Sequence, residues 1–325
     1  MMKRLLLGVL LIAVCAAGCG KATVTHTTTG PKTAQSTLAA PDGLATDAQG
    51  NVYAVSSEEG NVQKFDSTGK LIATWGSSGE GPGQLKSPKS IAVDPSGNIF
   101  VADESGGNVQ ELDSAGKFVA KWSPEGGFNE QPKAVAANPN GGFYVIVGGM
   151  EDSVQKVDGS GKFVTKIGSP GTGKGQFVMP KGIGVDSAGN LYVGEPGASF
   201  SWTKNGKTVS GKATARVQKF DTSGKCISSI GGDASGDGNL GMMQTITVDG
   251  KGNIYVLEMN DVKEFAPSGK LLIKWGDMGQ GQGSLWMAKS IAVDPQGNVY
   301  VGDSVSHRIQ KFDSSGKFLT KWNMK

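Results

Sequence analysis

Short runs of apolar residues recur along most of the chain, and turn-forming residues separate them. Residues 90–93 and 98–102 are almost wholly apolar, whereas residues 108–112 alternate between apolar and polar side chains. Runs of this length, bounded by glycine, asparagine and aspartate, are typical of β-strands that are buried on one or both faces. The pattern predicts an all-β protein built from short antiparallel strands.

The same succession of strands and turns occurs six times. Its first turn has the form Asp-x-x-Gly-Asn and lies at steps of 47, 44, 48, 63 and 45 residues, beginning at Asp47, Asp94, Asn138, Asp186, Asp249 and Asp294. Four strands repeated at this period are the signature of propeller blades. The sequence predicts a six-bladed β-propeller of four-stranded antiparallel blades, covering about residues 41–87, 88–131, 132–179, 180–242, 243–287 and 288–325.

A large apolar residue ends the fourth strand of each repeat, and we predict that it packs on the neighbouring blade. The residues at this position are Trp75, Trp122, Ile167, Ile230, Trp275 and Trp322. A second tight turn, of the form Asp-x-x-Gly-Lys, precedes that strand. Together the two turns of each repeat account for many of the 51 glycines, because both need a left-handed residue.

The repeat resembles the NHL family. The likeness is carried by Gly-Pro-Gly-Gln-Leu at 81–85, Ser-Ile-Ala-Val-Asp-Pro-Ser-Gly-Asn-Ile-Phe-Val-Ala-Asp at 90–103 and Arg-Ile-Gln-Lys-Phe-Asp at 308–313. It extends over about residues 41–325 and implies the propeller fold. It implies no single activity, since NHL propellers serve as protein-binding, RNA-binding, sensor and enzyme domains.

The first residues have the composition of a secretory signal. A basic start is followed by ten apolar residues and then by Ala16-Ala17-Gly18-Cys19. The Ala-Gly-Cys ending resembles a bacterial lipobox, although Ala16 stands where leucine is usual; ordinary secretion with cleavage near Ala17 is the alternative. We predict a signal peptide at 1–18, a lipidated Cys19 opening a flexible tether at 19–40, and an exported, membrane-anchored lipoprotein facing the periplasm or the cell exterior.

Export and a formal net charge of +3 argue against nucleic acid as a partner. After processing, Cys19 and Cys226 remain, and if Cys19 carries lipid no intramolecular disulfide can form. We expect a monomer stabilised by its core, with envelope proteins, peptides or glycans as partners.

Topology assigns the long variable loops to one face of the propeller, here called the top face. Two charged positions repeat there. The residue that opens each first strand is Asp42, Lys89, Lys133, Lys181, Gln244 or Lys289, and the residue that ends each second strand is Ser56, Asp103, Val147, Glu195, Glu258 or Asp303. One interpretation is a polar funnel for an anionic or zwitterionic ligand, or for a cation held by the carboxylates. The other is a set of salt bridges and turn-capping contacts.

An insertion near residues 196–213 makes blade four longer than the others. Asn205-Gly206 within it predicts a hairpin turn, which places Phe200 and Trp202 on a loop that projects from the top face. Exposed aromatic side chains suit contact with a partner, and the alternative is that Trp202 covers the blade edge. Trp286 adds a large apolar residue to the same face.

Six-bladed propellers related to NHL include metal-dependent enzymes. Resemblance to calcium-dependent gluconolactonases implies oxygen ligands in the channel, for which Glu195, Glu258, Asn260 and Asp303 are the candidates. Zinc lyases of related fold use several histidines, and this chain has two, His26 and His307.

We therefore favour a non-enzymatic binding or scaffolding protein without a cofactor, whose ligand site includes His307 and the charged and aromatic residues of the top face. The alternative is a divalent-metal-dependent hydrolase or lyase with Ca²⁺ in the central channel.

Overall fold

The computed structural model describes residues 39–124, 131–148, 152–204, 207–231 and 239–324, without the side chains of residues 202, 204, 207 and 209. The predicted signal peptide, Cys19, most of the tether and His26 lie outside these residues. Within them the regular structure consists of strands. They include no helix with the length and apolar character needed to cross a membrane.

Six antiparallel sheets of four strands form the blades, which confirms the predicted fold. Each sheet is a meander whose strands follow chain order from the channel outwards. The strands are β1 Gly43–Thr46, β2 Val52–Ser56, β3 Asn61–Phe65 and β4 Leu71–Trp75; β5 Pro88–Val93, β6 Ile99–Asp103, β7 Asn108–Leu112 and β8 Phe118–Trp122; β9 Gln131–Ala137, β10 Phe143–Gly148, β11 Ser153–Val157 and β12 Phe163–Ile167.

Blade four contains an additional hairpin between its second and third strands. Its strands are β13 Gly182–Val185, β14 Leu191–Pro196, β17 Ala215–Phe220 and β18 Cys226–Gly231, with the hairpin strands β15 Ser199–Lys204 and β16 Lys207–Lys212. The last two blades are β19 Met243–Val248, β20 Ile254–Glu258, β21 Val262–Phe265 and β22 Leu271–Trp275; and β23 Ala288–Val293, β24 Val299–Asp303, β25 Arg308–Phe312 and β26 Phe318–Asn323.

The ring closes between blade six and blade one without exchange of a strand, because each repeat supplies a whole blade. Three side-chain hydrogen bonds of the described residues cross this seam, one of them from Lys311 Nζ to the carbonyl oxygen of Ser67 at 3.1 Å. The Thr46 hydroxyl donates to the carbonyl oxygen of Val293 at 2.7 Å, and the Ser290 hydroxyl donates to that of Pro41 at 2.7 Å. Ala39 and Met324 are buried in the apolar cluster between these blades. Side-chain packing therefore holds the two ends of the propeller together.

The apolar core lies between blades, and each of its six clusters combines residues of neighbouring blades. The predicted packing of the fourth-strand residue is confirmed in every blade. Trp75, for example, lies against Gly116, in the second turn of the next blade. The second-turn glycines all have positive φ, between 78° and 91°, and they are Gly69, Gly116, Gly161, Gly224, Gly269 and Gly316. A side chain at any of them would meet the preceding blade.

Candidate functional site

The central channel consists of two cavities that meet at a narrow ring of residues. The upper cavity has a volume of about 610 Å³ and opens among the long loops, whereas the lower one has about 660 Å³ and opens among the first turns. The last residues of the six first strands line both cavities and form the neck between them: Thr46, Val93, Ala137, Val185, Val248 and Val293. Five of these six side chains are aliphatic, so the neck separates the charged rim of the upper cavity from the charged first turns that line the lower one.

The rim of the upper cavity carries the residues that open the six first strands, as the repeat predicted. They are Asp42, Lys89, Lys133, Lys181, Gln244 and Lys289. Glu104 also lines this cavity, so four lysines face two carboxylates there. The upper rim is therefore a net basic opening on a largely neutral chain.

Three of the four rim lysines have no ion-pair partner among the described residues. The ammonium groups of Lys89, Lys133 and Lys181 make neither a hydrogen bond nor an ion pair there, although the carboxyl group of Asp152 lies within electrostatic range of Lys133. Lys289 lies 3.6 Å from Asp42, whose carboxylate also accepts hydrogen bonds from the backbone and hydroxyl of Ser57. A ligand with two or more negative charges would find unneutralised lysines around this opening.

The four carboxylates that end the second strands are not among the residues lining the upper cavity. Asp103 and Asp303 instead accept hydrogen bonds from the interblade loops that precede their blades. Asp103 accepts hydrogen bonds from the backbone N–H groups of Lys86 and Ser87, at 2.8 and 2.7 Å. Asp303 accepts them from Trp286 N at 3.2 Å and from the guanidinium of Arg308 at 3.2 Å. The geometry matches the capping interpretation.

Glu195 and Glu258 are held in the same way. Glu195 accepts hydrogen bonds from Val178 N at 2.8 Å and from Arg216 Nε at 2.7 Å. Burial raises the pKa of its carboxyl group, and the nearby Arg216 opposes that rise. Glu258 accepts from Gly241 N at 2.8 Å and from Lys263 Nζ at 2.8 Å. The carboxylate oxygens of Glu195 and Glu258 thus accept hydrogen bonds from protein donors. Burying a carboxylate is unfavourable without such donors, so these contacts are what allows the two charges to be buried at the loops.

No three histidine, cysteine, aspartate or glutamate side chains of the described residues converge as a metal site. Glu195, Glu258 and Asp303 belong to three different blades and contact the donors just named, and Asn260 does not line the channel. The arrangement of these four residues therefore lacks the convergent, unoccupied oxygen atoms that a calcium ion requires.

His307 and the hairpin lie on the top face away from the channel lining. His307 has φ 48°, in the turn position where Gly60 and Gly107 stand in blades one and two. Its Nδ1 is buried and has no hydrogen-bond partner among the residues that the structure describes. The predicted hairpin is confirmed by the backbone pairing of β15 with β16, which extends from Ser199–Lys212 to Lys204–Lys207. Phe200 is half-buried over Gly211 of the facing strand, whereas the Asn205-Gly206 turn and the Trp202 side chain lie outside the description.

The lower cavity has the opposite electrostatic character. The first-turn residues Asp47, Asp94, Asp186, Asp249 and Asp294 line it together with Glu264. Burial would raise the pKa of Asp47, yet hydrogen bonds from Asn51 and Tyr53 and the nearby Lys64 hold it below its usual value. In blade five, Glu264 stands where blade one has Lys64. Burial and the neighbouring Asp249 raise the pKa of its carboxyl group. An anion that binds the channel is therefore favoured at the upper mouth and disfavoured at the lower one.

A buried glutamine of the third strand fixes the loops of the top face, a role the sequence did not reveal. Gln110, Gln218 and Gln310 each accept a hydrogen bond from a loop glycine N–H at 2.8 to 3.0 Å and donate to the next carbonyl oxygen. The signal in the sequence was a polar residue repeated at a strand position between two apolar ones. These contacts make the top-face loops rigid extensions of the blades.

The NHL-repeat family model matches residues 285–312, which comprise the last interblade loop and three strands of blade six. The other five blades repeat its strand and turn pattern. The chain is a six-bladed β-propeller with a match to the NHL repeat in its last blade. No curated protein sequence matches the chain.

Solved structures with the same fold are distant in sequence. Virginiamycin B lyase from Staphylococcus aureus has a TM-score of 0.57 at 12% identity, with 88% of this chain and 85% of that chain covered. A gluconolactonase from Xanthomonas campestris gives 0.57 at 12%, with 86% and 85% covered. Hydrazine synthase from Kuenenia stuttgartiensis gives 0.56 at 16%, with 94% and 90% covered. At 12–16% identity these similarities show the fold of the chain alone. Its activity has to be inferred from the residues of the site.

Proposed function

We propose that this NHL propeller is a non-enzymatic binding protein of the cell envelope that holds anionic ligands at the upper mouth of its channel. The observation that carries the proposal is the rim itself. Four lysines surround a cavity of about 610 Å³, and three of them have no ion-pair partner among the described residues. Cavities of 300–1,000 Å³ are the usual size of ligand sites. Peptides or acidic glycans are the ligand classes that such a mouth would accept.

The surroundings of the carboxylates also support a binding role over a metal-dependent one. Glu195, Glu258 and Asp303 serve as acceptors for loop amides and for Arg216, Lys263 and Arg308. Virginiamycin B lyase and gluconolactonase are enzymes, but at 12% identity they share the architecture of this chain alone. The proposal therefore rests on the rim lysines and on the cavity that they surround.

Neutralising the rim lysines tests the proposal. The triple substitution Lys89→Gln, Lys133→Gln and Lys181→Gln should weaken binding of tripolyphosphate, used as a polyanionic probe, by about tenfold to a hundredfold at low salt. Partly exposed charge interactions of up to about 1 kcal/mol each sum to that range. Isothermal titration calorimetry measures the affinity, and added salt should weaken binding to the unmodified protein.

A second triple variant provides the matched control. Lys70→Gln, Lys117→Gln and Lys162→Gln remove the same charge from exposed second turns at the lower end of the blades. Binding should persist in this control. An equal loss of affinity in both triple variants would mean that the probe senses net charge, and the rim would then not be the site.

We further propose that the propeller is exported and attached to a membrane through Cys19. The Ala-Gly-Cys sequence that ends the apolar N-terminal run supports this step. Replacing Cys19 by Ser should move the protein from the membrane fraction to the soluble fraction of cells, as followed by immunoblotting. Cys15→Ser, a change of the other cysteine in that segment, should leave it in the membrane fraction. Retention of the Cys19→Ser protein in membranes would rule out the lipid anchor.

A further inference from the structure

Three interblade loops, at residues 76–89, 168–181 and 276–289, have the same fold. In each, an isolated parallel bridge joins the third residue to the tenth. In each, the first and eighth residues are glycines with φ between 75° and 91°, and a buried glutamine of the following blade binds the eighth. The molecule thus contains three copies of one loop, which allows their side chains to be compared at fixed backbone positions.

The third copy, here called the apolar loop, presents three large apolar side chains to solvent. Met278 is 74% exposed, Trp286 40% and Met287 44%. The first copy has Ser78, Lys86 and Ser87 at the same positions. Both copies make the same anchoring contact, in which the N–H of Lys86 or Trp286 binds the aspartate that ends the next second strand. The first copy keeps the bridge, the two glycine conformations and this anchoring contact with polar residues, so the apolar side chains are not required for them. Exposed apolar groups of this kind mark interaction sites.

The backbone at Met287 is a second feature of this loop. Its φ is 56°, in the left-handed region that is unfavourable for a non-glycine residue, and the equivalent Met179 of the second copy, which is also exposed, has φ 51°. Two contacts hold this conformation: the Ser304 hydroxyl donates to the carbonyl oxygen of Met287 at 3.1 Å, and Ala288 N donates to that of Met259 at 3.1 Å. Strain held by surrounding contacts is frequent where a protein positions a residue for function.

The apolar loop adjoins the basic rim. Met287 lies two residues before Lys289, and Met242, which is 66% exposed, lies two residues before the rim residue Gln244 of blade five. Methionine side chains are flexible and polarisable, which suits them to binding apolar groups of varied shape, and tryptophan is a frequent anchor at interfaces. The surface therefore offers apolar contacts on blades five and six beside Lys289, which is paired with Asp42. The rim lysines without an ion-pair partner among the described residues belong to blades two, three and four of the same opening.

We propose that the apolar loop binds the apolar side chains of an acidic peptide segment whose carboxylates lie on the lysine rim. This inference rests on the proposed function, because the rim must accept the anionic groups. The charge of the rim selects acidic residues in the partner. The three apolar side chains, Met278, Trp286 and Met287, lie outside the channel. A bound peptide should therefore extend across the top face and should not enter the cavity.

Selection of a displayed random dodecapeptide library on the full mature chain tests the inference. Enriched peptides should contain both acidic residues and aromatic or aliphatic ones. Their affinity should fall at least tenfold in the variant Met278→Ser, Trp286→Lys, Met287→Ser, which gives the third loop the residues of the first. The first copy has these three residues in a loop with the same bridge and the same glycine conformations, and a melting temperature near that of the unmodified protein would show that the variant folds. Met278→Ser alone, at the most exposed position, should weaken binding severalfold.

The outcomes separate this inference from the proposed function. Affinity that falls with the lysine triple variant and is unchanged by the loop exchange would overturn the apolar-loop inference and leave the proposed function standing. Peptides without acidic residues, insensitive to the lysine variant, would overturn both. Failure to enrich any peptide, or binding to phosphatidylglycerol vesicles in place of peptides, would exclude a peptide as the occupant.

Discussion

Replacing Arg308 by Met is expected to lower the free energy of unfolding by about 3–5 kcal/mol, the cost of leaving one partner of a buried ion pair without the other. Asp303 is fully buried and Arg308 is 4% exposed. The guanidinium also donates to the carbonyl oxygens of Gln280, Gly281 and Ser284. The substitution therefore removes the cation beside a buried carboxylate and the main attachment of the apolar loop. Urea unfolding followed by tryptophan fluorescence measures the loss.

Two further variants test whether the loss of stability at Arg308 comes from its buried ion pair with Asp303. Lys86→Met breaks an exposed ion pair with Glu80 in the first copy of the loop, and it should change the free energy of unfolding little, because water screens an exposed pair. The double variant Asp303→Asn, Arg308→Met should recover part of the stability, because no uncompensated charge stays buried. A loss at Arg308 as small as that at Lys86 would show that the buried pair does not hold the loop.

The fold could be predicted from the sequence because every level of the repeat indicates the same structure. The spacing of the turns, the strand lengths and the left-handed glycines all agree, and six copies remove the ambiguity that a single run of apolar residues would have. Packing between blades was predicted from the recurrence of one position, and the contact of Trp75 with Gly116 confirms it. The hairpin of blade four was likewise predicted from its Asn-Gly turn.

The candidate site was predicted less completely, because sequence position does not give the direction of a side chain. The residues that open the first strands reach the channel rim as expected. The residues that end the second strands occupy an equally regular position, but Asp103 and Glu195 bind the amides of the preceding loop. The sequence suggested both a ligand ring and a set of caps, and the nearby N–H donors decide for the caps. Those donors come from loops whose shape is fixed by long-range contacts with buried glutamines.

The apolar loop illustrates a second limit of the sequence. The sequence predicts Trp286 as one large residue on the top face, whereas Met278 and Met287 join it in one surface because the loop folds back through its bridge. The three copies of the loop lie between blades one and two, three and four, and five and six. An alignment of single blades treats all interblade loops alike and does not distinguish these three from the others. Their comparison depends on knowing that residues 76–89 and 276–289 have the same bridge and the same glycine conformations.

Replacing Gly116 by Ala is expected to destabilise the propeller by about 2–5 kcal/mol. Gly116 has φ 81°, so the new side chain incurs the backbone strain of an L-residue in the left-handed region, of the order of 1–2 kcal/mol. A Cβ atom at this position would also overlap the ring of Trp75, and overpacking typically adds about 1–3 kcal/mol. The ring cannot retreat without disturbing Tyr53, on which it stacks at 6.3 Å. Urea unfolding of the two proteins measures the difference.

Gly107→Ala separates the two causes. Gly107 also has a left-handed conformation, with φ 64°, but a Cβ atom there meets no atom within 4 Å. Its loss should amount to the backbone term alone, about 1–2 kcal/mol. If Gly116→Ala costs no more than Gly107→Ala, the tryptophan contact does not constrain the blade interface. If it costs more, the excess should disappear in the double variant Trp75→Leu, Gly116→Ala, measured against Trp75→Leu, because a smaller side chain leaves room for the added methyl group.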